Sequence, residues 1–187
     1  MALRLTSLKS RSAFPTADKQ RDVFKRDGLK YCTILSMNAL AIALHAIAAT
    51  VWIGGMFFAY VVLRPTAATL EPPERLQLWA GAFKRFFPWV WMTIIILLVT
   101  GFYLVLVAFG GFGSVPGYVH TMLLMGLIMI GLFIYLYYVP YRAFKTAVAA
   151  ADWPAGGVAM NRIRLLVLIN LCIGLALTAI VTSGRYS

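Results

Sequence analysis

One stretch of the chain decides the class of fold: residues Phe86–Phe109 read FFPWVWMTIIILLVTGFYLVLVAF, without a charged side chain. As an α-helix this stretch is about 36 Å long, more than the roughly 30 Å of a bilayer's hydrocarbon core. Only helices and closed barrels satisfy their backbone hydrogen bonds in lipid, and these apolar residues are continuous rather than alternating as in a barrel strand. The stretch is therefore predicted to be a transmembrane helix.

Three further apolar stretches are each near or above the length that crosses a membrane as a helix. They are Cys32–Leu63, Tyr118–Tyr138 and Leu165–Thr182. Of the 187 residues, 61% are hydrophobic and only 12% are charged, too few charges to coat a water-soluble domain of this size. The predicted fold class is all-α: residues 32–187 form a polytopic four-helix bundle in contact with the lipid bilayer.

Residues 1–31 have a different composition, with eight Lys and Arg residues against three Asp residues. They lack the apolar core of a cleavable secretory signal, and we predict a basic N-terminal tail, solvated or lying on the membrane surface. The net charge of +11 would suggest nucleic acid in a soluble protein. Here the basic residues flank apolar runs, where lipid headgroups attract them, so no nucleic acid partner is expected.

Arginines and lysines also mark the connections between the predicted helices. One side of the membrane receives Arg64, Arg75, Lys84, Arg85, Arg142, Lys145, Arg162 and Arg164, whereas the loop Gly110–Gly117 has no charge. With the tail included, the two sides carry eight and nine basic residues, so the positive-inside rule does not decide by count. The uncharged loop favours a cytoplasmic position for the arginine-bearing loops, whose basic side chains are expected to set orientation and bind headgroups.

Few residues are available for chemistry. The chain carries no Walker loop, GxSxG elbow, HExxH or Rossmann motif, and it has two histidines, two cysteines and six acidic residues. A hydrolase is therefore a poor interpretation. Cys32 and Cys172 lack metal-binding or disulfide spacing and are expected to be small core residues.

The two histidines, His45 and His120, lie inside predicted helices, where an ionisable group is costly and usually functional. Each precedes the polar end of its helix, Leu63 or Tyr138, by 18 residues. Both imidazoles are therefore expected at a similar depth, about 27 Å from that end. Haem iron accepts imidazole ligands, and bundles hold cofactors with side chains from facing helices. The pattern favours one haem between His45 and His120.

Three other side chains complete the candidate cofactor site. Arg185 follows the fourth helix on the histidine side and suits a haem propionate, and Trp52 shares the helix face of His45 at a spacing of seven. Asn170 on the fourth helix is a candidate hydrogen-bond partner of an imidazole. The alternative is that each histidine is only a buried neutral imidazole, hydrogen-bonded to a neighbouring helix through Asn170 or Thr100.

Copper is the competing metal, because histidine and methionine suit it. Met122, Met125 and Met129 form a stripe on the third predicted helix. At 100° per residue, His120 lies about 160° from Met122 around that helix, so the histidine and the stripe cannot close one site there. Ordinary packing is the simpler explanation of the stripe.

Several stretches resemble a known family. ALHAIAATVWIGGMFFAYVVLRP (Ala43–Pro65) and LWAGAFKRFFPWVW (Leu78–Trp91) resemble the bacterial CopD family, membrane proteins of the copper-resistance D type. YVHTMLL (Tyr118–Leu124), PYRAFKTAVAAADWP (Pro140–Pro154) and NRIRLLVLINLCIGL (Asn161–Leu175) are similar to it as well, so the resemblance covers the chain from about Asn38 to its end.

The resemblance carries an expectation about the cofactor. Four-helix CopD members are similar to the haem-binding oxidase of protoporphyrinogen, which implies that His45 is the first-helix ligand of haem b and His120 the third-helix ligand. In the oxidase pattern a basic residue soon follows the third-helix histidine, where this chain has Thr121 and Met122. Haem binding is therefore expected, and protoporphyrinogen oxidation is not.

The leading hypothesis is a b-type cytochrome of the bacterial inner membrane that exchanges electrons with quinol or a redox partner protein. A copper-binding or copper-transporting protein that uses the same two histidines is the second hypothesis. The third is an accessory subunit of a larger membrane complex without a cofactor. Whether the chain is a membrane oxidoreductase stays open between them.

Overall fold

The computed structural model describes residues 17–184, which are helical and contain no strand. The helices are α1 (Ala17–Phe57), α2 (Arg64–Ala67), α3 (Pro72–Tyr103), α4 (Gly117–Tyr138), α5 (Pro140–Ala149) and α6 (Trp153–Gly184), and π-helical turns at Phe58–Leu63 and Leu104–Ala108 continue α1 and α3. Four continuous stretches are long and apolar enough to cross a membrane: Phe24–Ala67, Pro72–Ala108, Gly117–Ala149 and Trp153–Ser183. The predicted all-α, four-helix membrane fold is confirmed.

The chain divides into two units between Ala39 and Leu40. Within the first, residues 1–16 lie outside the described residues, and residues 17–39 are helical. The predicted tail, residues 1–31, therefore includes the first turns of α1, and its boundary at residue 31 stays a prediction. The second unit contains the packed bundle.

Proline and glycine residues set the helix ends. Pro72 and Pro140 stand at the starts of α3 and α5, where a missing N–H costs no hydrogen bond. Gly110 and Gly111, with φ of 78° and 110°, end the α3 stretch in a backbone region that favours glycine. The carboxylate of Asp152 accepts a hydrogen bond from the Ala155 N–H (3.0 Å) at the start of α6.

Helix α1 starts at Ala17, before the predicted Cys32, and two further helices are longer than the apolar stretches that predicted them. Helix α3 starts at Pro72 rather than Phe86, and α6 starts at Trp153 rather than Leu165. Apolar composition identifies the segment of a helix that faces lipid. The helix itself extends past this segment, into residues that pack on other helices.

Aromatic side chains dominate the core at the arginine-bearing end. Trp79, Phe83 and Phe87 recur every four residues on one face of α3, with ring centroids of Phe83 and Phe87 5.0 Å apart. Phe83 meets Phe144 of α5 edge-on at 5.9 Å, and Phe87 meets Phe133 of α4 at 5.5 Å. Together with Tyr137 and Tyr141 these residues form the aromatic cluster, which ties α3, α4 and α5 together.

Helix α1 packs on its neighbours through small residues. A Cβ atom at Gly55 would overlap the ring of Phe86, and one at Gly174 of α6 would lie 3.0 Å from Cγ1 of Ile53. Such glycines allow close approach of helices in a membrane. Trp52 adds an edge-on contact with Phe133 of α4, with ring centroids 6.2 Å apart.

Candidate functional site

His45 of α1 lies half-buried against α3. Its Nδ1 atom is 2.8 Å from the Thr100 hydroxyl oxygen. The same hydroxyl donates to the Ile96 carbonyl oxygen at 2.6 Å. A carbonyl has no proton to give, so it can only accept from the Thr100 hydroxyl. When the hydroxyl proton is directed to the Ile96 carbonyl, the hydroxyl oxygen accepts from His45, the imidazole proton is on Nδ1 and Nε2 keeps its lone pair.

Glycine at position 101 makes room for this arrangement. A Cβ atom at Gly101 would lie 3.4 Å from Cε1 and 3.9 Å from Nδ1 of His45. The imidazole thus rests directly on the α3 backbone, next to the threonine that orients it. We call His45, Thr100 and Gly101 the histidine end of the bundle. The sequence indicated Thr100 only as an alternative partner of an imidazole and did not single out Gly101. A Thr-Gly pair inside an apolar run is the sequence signal that could have identified both residues as the place where the imidazole packs.

His120 has a different environment. It lies in the first turn of α4, which begins at Gly117, and its side chain is exposed, whereas the neighbouring Val119 is 4% exposed. In the part of the chain that the structure describes, no hydrogen bond joins His120 to His45 or to Thr100. The structure therefore orients one of the two predicted ligands.

The relative depth of the two histidines follows from side-chain contacts between α1 and α4. Trp52 touches Phe133, and His45 precedes Trp52 by seven residues, whereas His120 precedes Phe133 by thirteen. At 1.5 Å per residue this places His120 about 9 Å farther along the bundle axis.

A second contact gives a smaller separation. Ile53 and Met129 both lie against Gly174, with His45 eight residues before Ile53 and His120 nine before Met129. That contact places the two imidazoles about 1.5 Å apart in depth. The two contacts bracket the axial separation between about 2 and 9 Å.

The other predicted cofactor-contacting residues lie in the packed interior or outside the described residues. Trp52 is 3% exposed and packs on Phe133. Asn170 donates through Nδ2 to the Met129 carbonyl oxygen at 3.2 Å, and its Oδ1 is buried without a partner. Arg185 lies outside the described residues, so its role stays a prediction.

Among residues 17–184, no hydrogen bond joins His45 to a sulfur atom. Met129 is buried against Gly174 as a packing residue, and Cys32 and Cys172 are exposed, so the expectation that the cysteines are core residues is wrong. In a lipid-spanning helix a small thiol costs little on the outer face. Within residues 17–184, no group of three or more His, Cys, Asp or Glu side chains is placed to hold a metal ion.

Comparison with known proteins gives one result. The family model described as copper resistance protein D matches residues 80–183, a range that includes Thr100, His120 and Asn170 and begins after His45. No curated protein and no solved structure matches the chain.

Proposed function

The chain belongs to the copper resistance protein D family, and from that premise we propose that it is a b-type cytochrome of the bacterial inner membrane, with His45 as an axial ligand of haem b. Quinol and a redox partner protein are the proposed electron donor and acceptor. The family assignment and the four membrane-spanning helices support a multi-pass membrane protein. The cofactor and the electron transfer are the proposed part.

One observation carries the proposal: the hydrogen bond from His45 Nδ1 to Thr100. A histidine that binds a metal through one ring nitrogen usually donates a hydrogen bond from the other, which fixes its tautomer and ring orientation. A Thr100 hydroxyl that donates to the Ile96 carbonyl leaves its oxygen free to accept from His45, which supports this state of the imidazole.

The donor set fits haem better than a bare copper ion. A porphyrin supplies four nitrogen ligands of its own, so a single oriented imidazole completes a five-coordinate iron and a second makes it six-coordinate. Haem would bring one-electron chemistry to the site. His45 is the proposed first ligand and His120 the proposed second. Arg185 is the proposed partner of a propionate, and Trp52 and Asn170 are proposed to support the haem from the packed interior.

The test is an absorption spectrum of the protein purified in detergent, oxidised and reduced. Haem b on two histidines gives a Soret band with sharp reduced α and β bands. We expect His45→Ala to abolish this spectrum, and His120→Ala to convert it to a high-spin form or abolish it. Asn161→Ala, a change at an exposed position of α6, is the control and should leave the spectrum unchanged.

The two histidine variants also separate the parts of the proposal. An unchanged spectrum in His45→Ala would contradict the assignment of the ligand. An unchanged spectrum in His120→Ala would contradict the assignment of His120 as the second ligand.

Copper is the second candidate, favoured by the description of the matching family. In this case His45 would bind copper as cargo through the same Nε2 lone pair. Metal analysis of the purified protein would then find copper that His45→Ala removes, without a haem spectrum. Neither copper nor haem would favour an accessory subunit of a larger membrane complex.

A further inference from the structure

A pocket lies at the arginine-bearing end of the bundle, away from His45. It is small, about 20 Å³, and lies between the π-helical turn Phe58–Leu63, α3 and α6. Met160, Ile163 and Val167 give it an apolar wall, and Arg64 and Arg164 are among the residues that line it, although the atoms that face the pocket are apolar. The combination suits a molecule with an apolar chain and an anionic group.

Three arginines from separate elements bring positive charge to this end of the bundle. Arg64 stands at the start of α2, Arg75 in the first turn of α3 and Arg164 in α6, and the charges of Arg64 and Arg75 both act on Arg164. Arg164 donates from Nη1 to the Asn161 side-chain oxygen at 3.4 Å. Neither that amide nor the Tyr60 ring, which lies 4.9 Å from the Arg64 guanidinium carbon, carries a neutralising charge.

Buried donors occur on two residues that line the pocket, Trp79 and Arg164, and on Arg75, one turn before Trp79 in α3. Arg75 Nε, Arg164 Nε and Trp79 Nε1 are all buried without a hydrogen-bond partner, and in residues 17–184 none of the three arginines forms an ion pair. Trp79 is 3% exposed and lines the pocket. Buried N–H groups are nearly always satisfied in proteins, so this convergence of donors calls for an acceptor with several oxygens.

We propose that Arg64, Arg75 and Arg164 bind the phosphate of an anionic phospholipid, with an acyl chain against the apolar wall that α6 forms beside them. A phosphate offers several oxygens to guanidinium donors, and basic pockets between transmembrane helices are suited to anionic headgroups. Arg64 is exposed, so a lipid can reach the charged group from the surface of the bundle. The site is separate from His45 and does not depend on the cofactor proposed there.

The first experiment identifies the ligand. Thermal unfolding of the purified, delipidated protein is followed in neutral detergent with added phosphatidylglycerol, phosphatidylcholine or inorganic phosphate. We expect phosphatidylglycerol to raise the Tm by several degrees and the other two to leave it unchanged, since ligands that bind the folded state stabilise it. An equal rise with inorganic phosphate would identify a free-anion site and overturn the lipid proposal, and an equal rise with phosphatidylcholine would overturn the role of the charge.

The second experiment locates the site. Arg164→Gln and Trp79→Phe each remove a donor, and we expect the affinity for phosphatidylglycerol to fall about tenfold for the arginine and less for the tryptophan. Arg162→Gln removes the same charge from an exposed position two residues away and is the matched control. Equal losses in Arg162→Gln and Arg164→Gln would show a diffuse charge effect and overturn the proposal.

A third variant guards against misfolding. Arg64→Gln alters an exposed side chain that lines the pocket, so the fold does not depend on it. If Arg164→Gln fails to fold, an unchanged phosphatidylglycerol affinity in Arg64→Gln overturns the proposal, and a severalfold loss supports it.

Discussion

The aromatic cluster and the histidine end hold their helices together by different means. In the aromatic cluster, rings from α3, α4 and α5 interlock, with Phe83 in contact with both Phe87 and Phe144. At the histidine end, His45 makes a hydrogen bond to Thr100 and lies close to the backbone of Gly101. Large rings have few alternative arrangements in a dense core, whereas a polar contact beside a glycine can reorganise around a ligand.

This difference in packing suggests a division of roles: the aromatic cluster stabilises the bundle, and the histidine end provides the candidate functional site. Tight packing of the aromatic cluster fixes the positions of α3 and α4, the helices that carry Thr100 and His120. The histidine end can then serve a ligand without being the main source of stability. The following substitutions are ordered from the largest expected effect to the smallest, and each tests one side of this contrast.

The largest loss is expected from Phe144→Ala. Phe144 is fully buried in the aromatic cluster, so removal of its ring should lower the free energy of unfolding by about 3–5 kcal/mol. Thermal or denaturant unfolding in detergent measures the loss. Phe112→Ala, at a 46% exposed position, is the control and should cost less than about 1 kcal/mol. Similar losses in both variants would show that the cluster does not dominate stability.

A smaller loss is expected where α1 meets α3. The Cβ of Gly55→Ala would overlap the half-buried Phe86 ring, which must then rotate, at a cost of about 1–2 kcal/mol. Gly54→Ala adds the same methyl group where no atom lies within 4 Å. We expect Gly54→Ala to leave the Tm unchanged or slightly raised. If the two variants unfold alike, the α1–α3 contact at Gly55 does not contribute to stability.

Thr100→Val tests the polar contact directly. Valine keeps the shape of threonine but leaves the His45 Nδ1–H without its acceptor, which should cost about 1 kcal/mol of stability. If His45 binds a metal, the affinity for that metal should also fall about tenfold or more, because the ring is no longer held in one tautomer.

Thr100→Ser retains the hydroxyl and is the control for both measurements. A metal affinity that is unchanged in the valine variant, with stability lowered, would limit Thr100 to a structural role.

The smallest effect is expected from Asn170→Leu. The side chain makes one hydrogen bond, to the Met129 carbonyl, and leaves its own oxygen unpartnered in the interior. Replacing a half-satisfied amide by an apolar group of similar volume should change stability by less than about 1 kcal/mol. A larger change, or a shifted cofactor spectrum, would show that Asn170 belongs to the histidine end.

The sequence predicted the membrane helices better than their contacts. Apolar length alone identified four spans, because lipid imposes the same requirement on each. It did not predict the aromatic cluster: Trp79 and Phe83 lie outside the stretch Phe86–Phe109, and the ring partners of Phe83 on α5, Tyr141 and Phe144, lie more than 50 residues later in the chain.

The same limit applies to the histidines. Their equal spacing from Leu63 and Tyr138 assumed that both residues end their helices at one level, but the first span continues through a π-helical turn to Ala67. The depth of a residue in the bundle depends on which side chains of neighbouring helices pack against each other. The amino-acid sequence alone does not specify these contacts. Thr100 was recognisable as a candidate because few polar residues in an apolar run can accept from an imidazole.

The π-helical turn at Phe58–Leu63 has a consequence for how such a chain can vary in length. A wider turn accommodates one more residue than an α-helical turn over nearly the same rise. Removal of one residue there would convert the wide turn into an ordinary α-helical turn, so neither the length of the span nor the orientation of α2 relative to Trp52 would change much. Tyr60 and Arg64 both line the pocket from this stretch. A deletion of a single residue would thus be absorbed at the turn, with Arg64 still lining the same pocket as Arg164 and every helix intact.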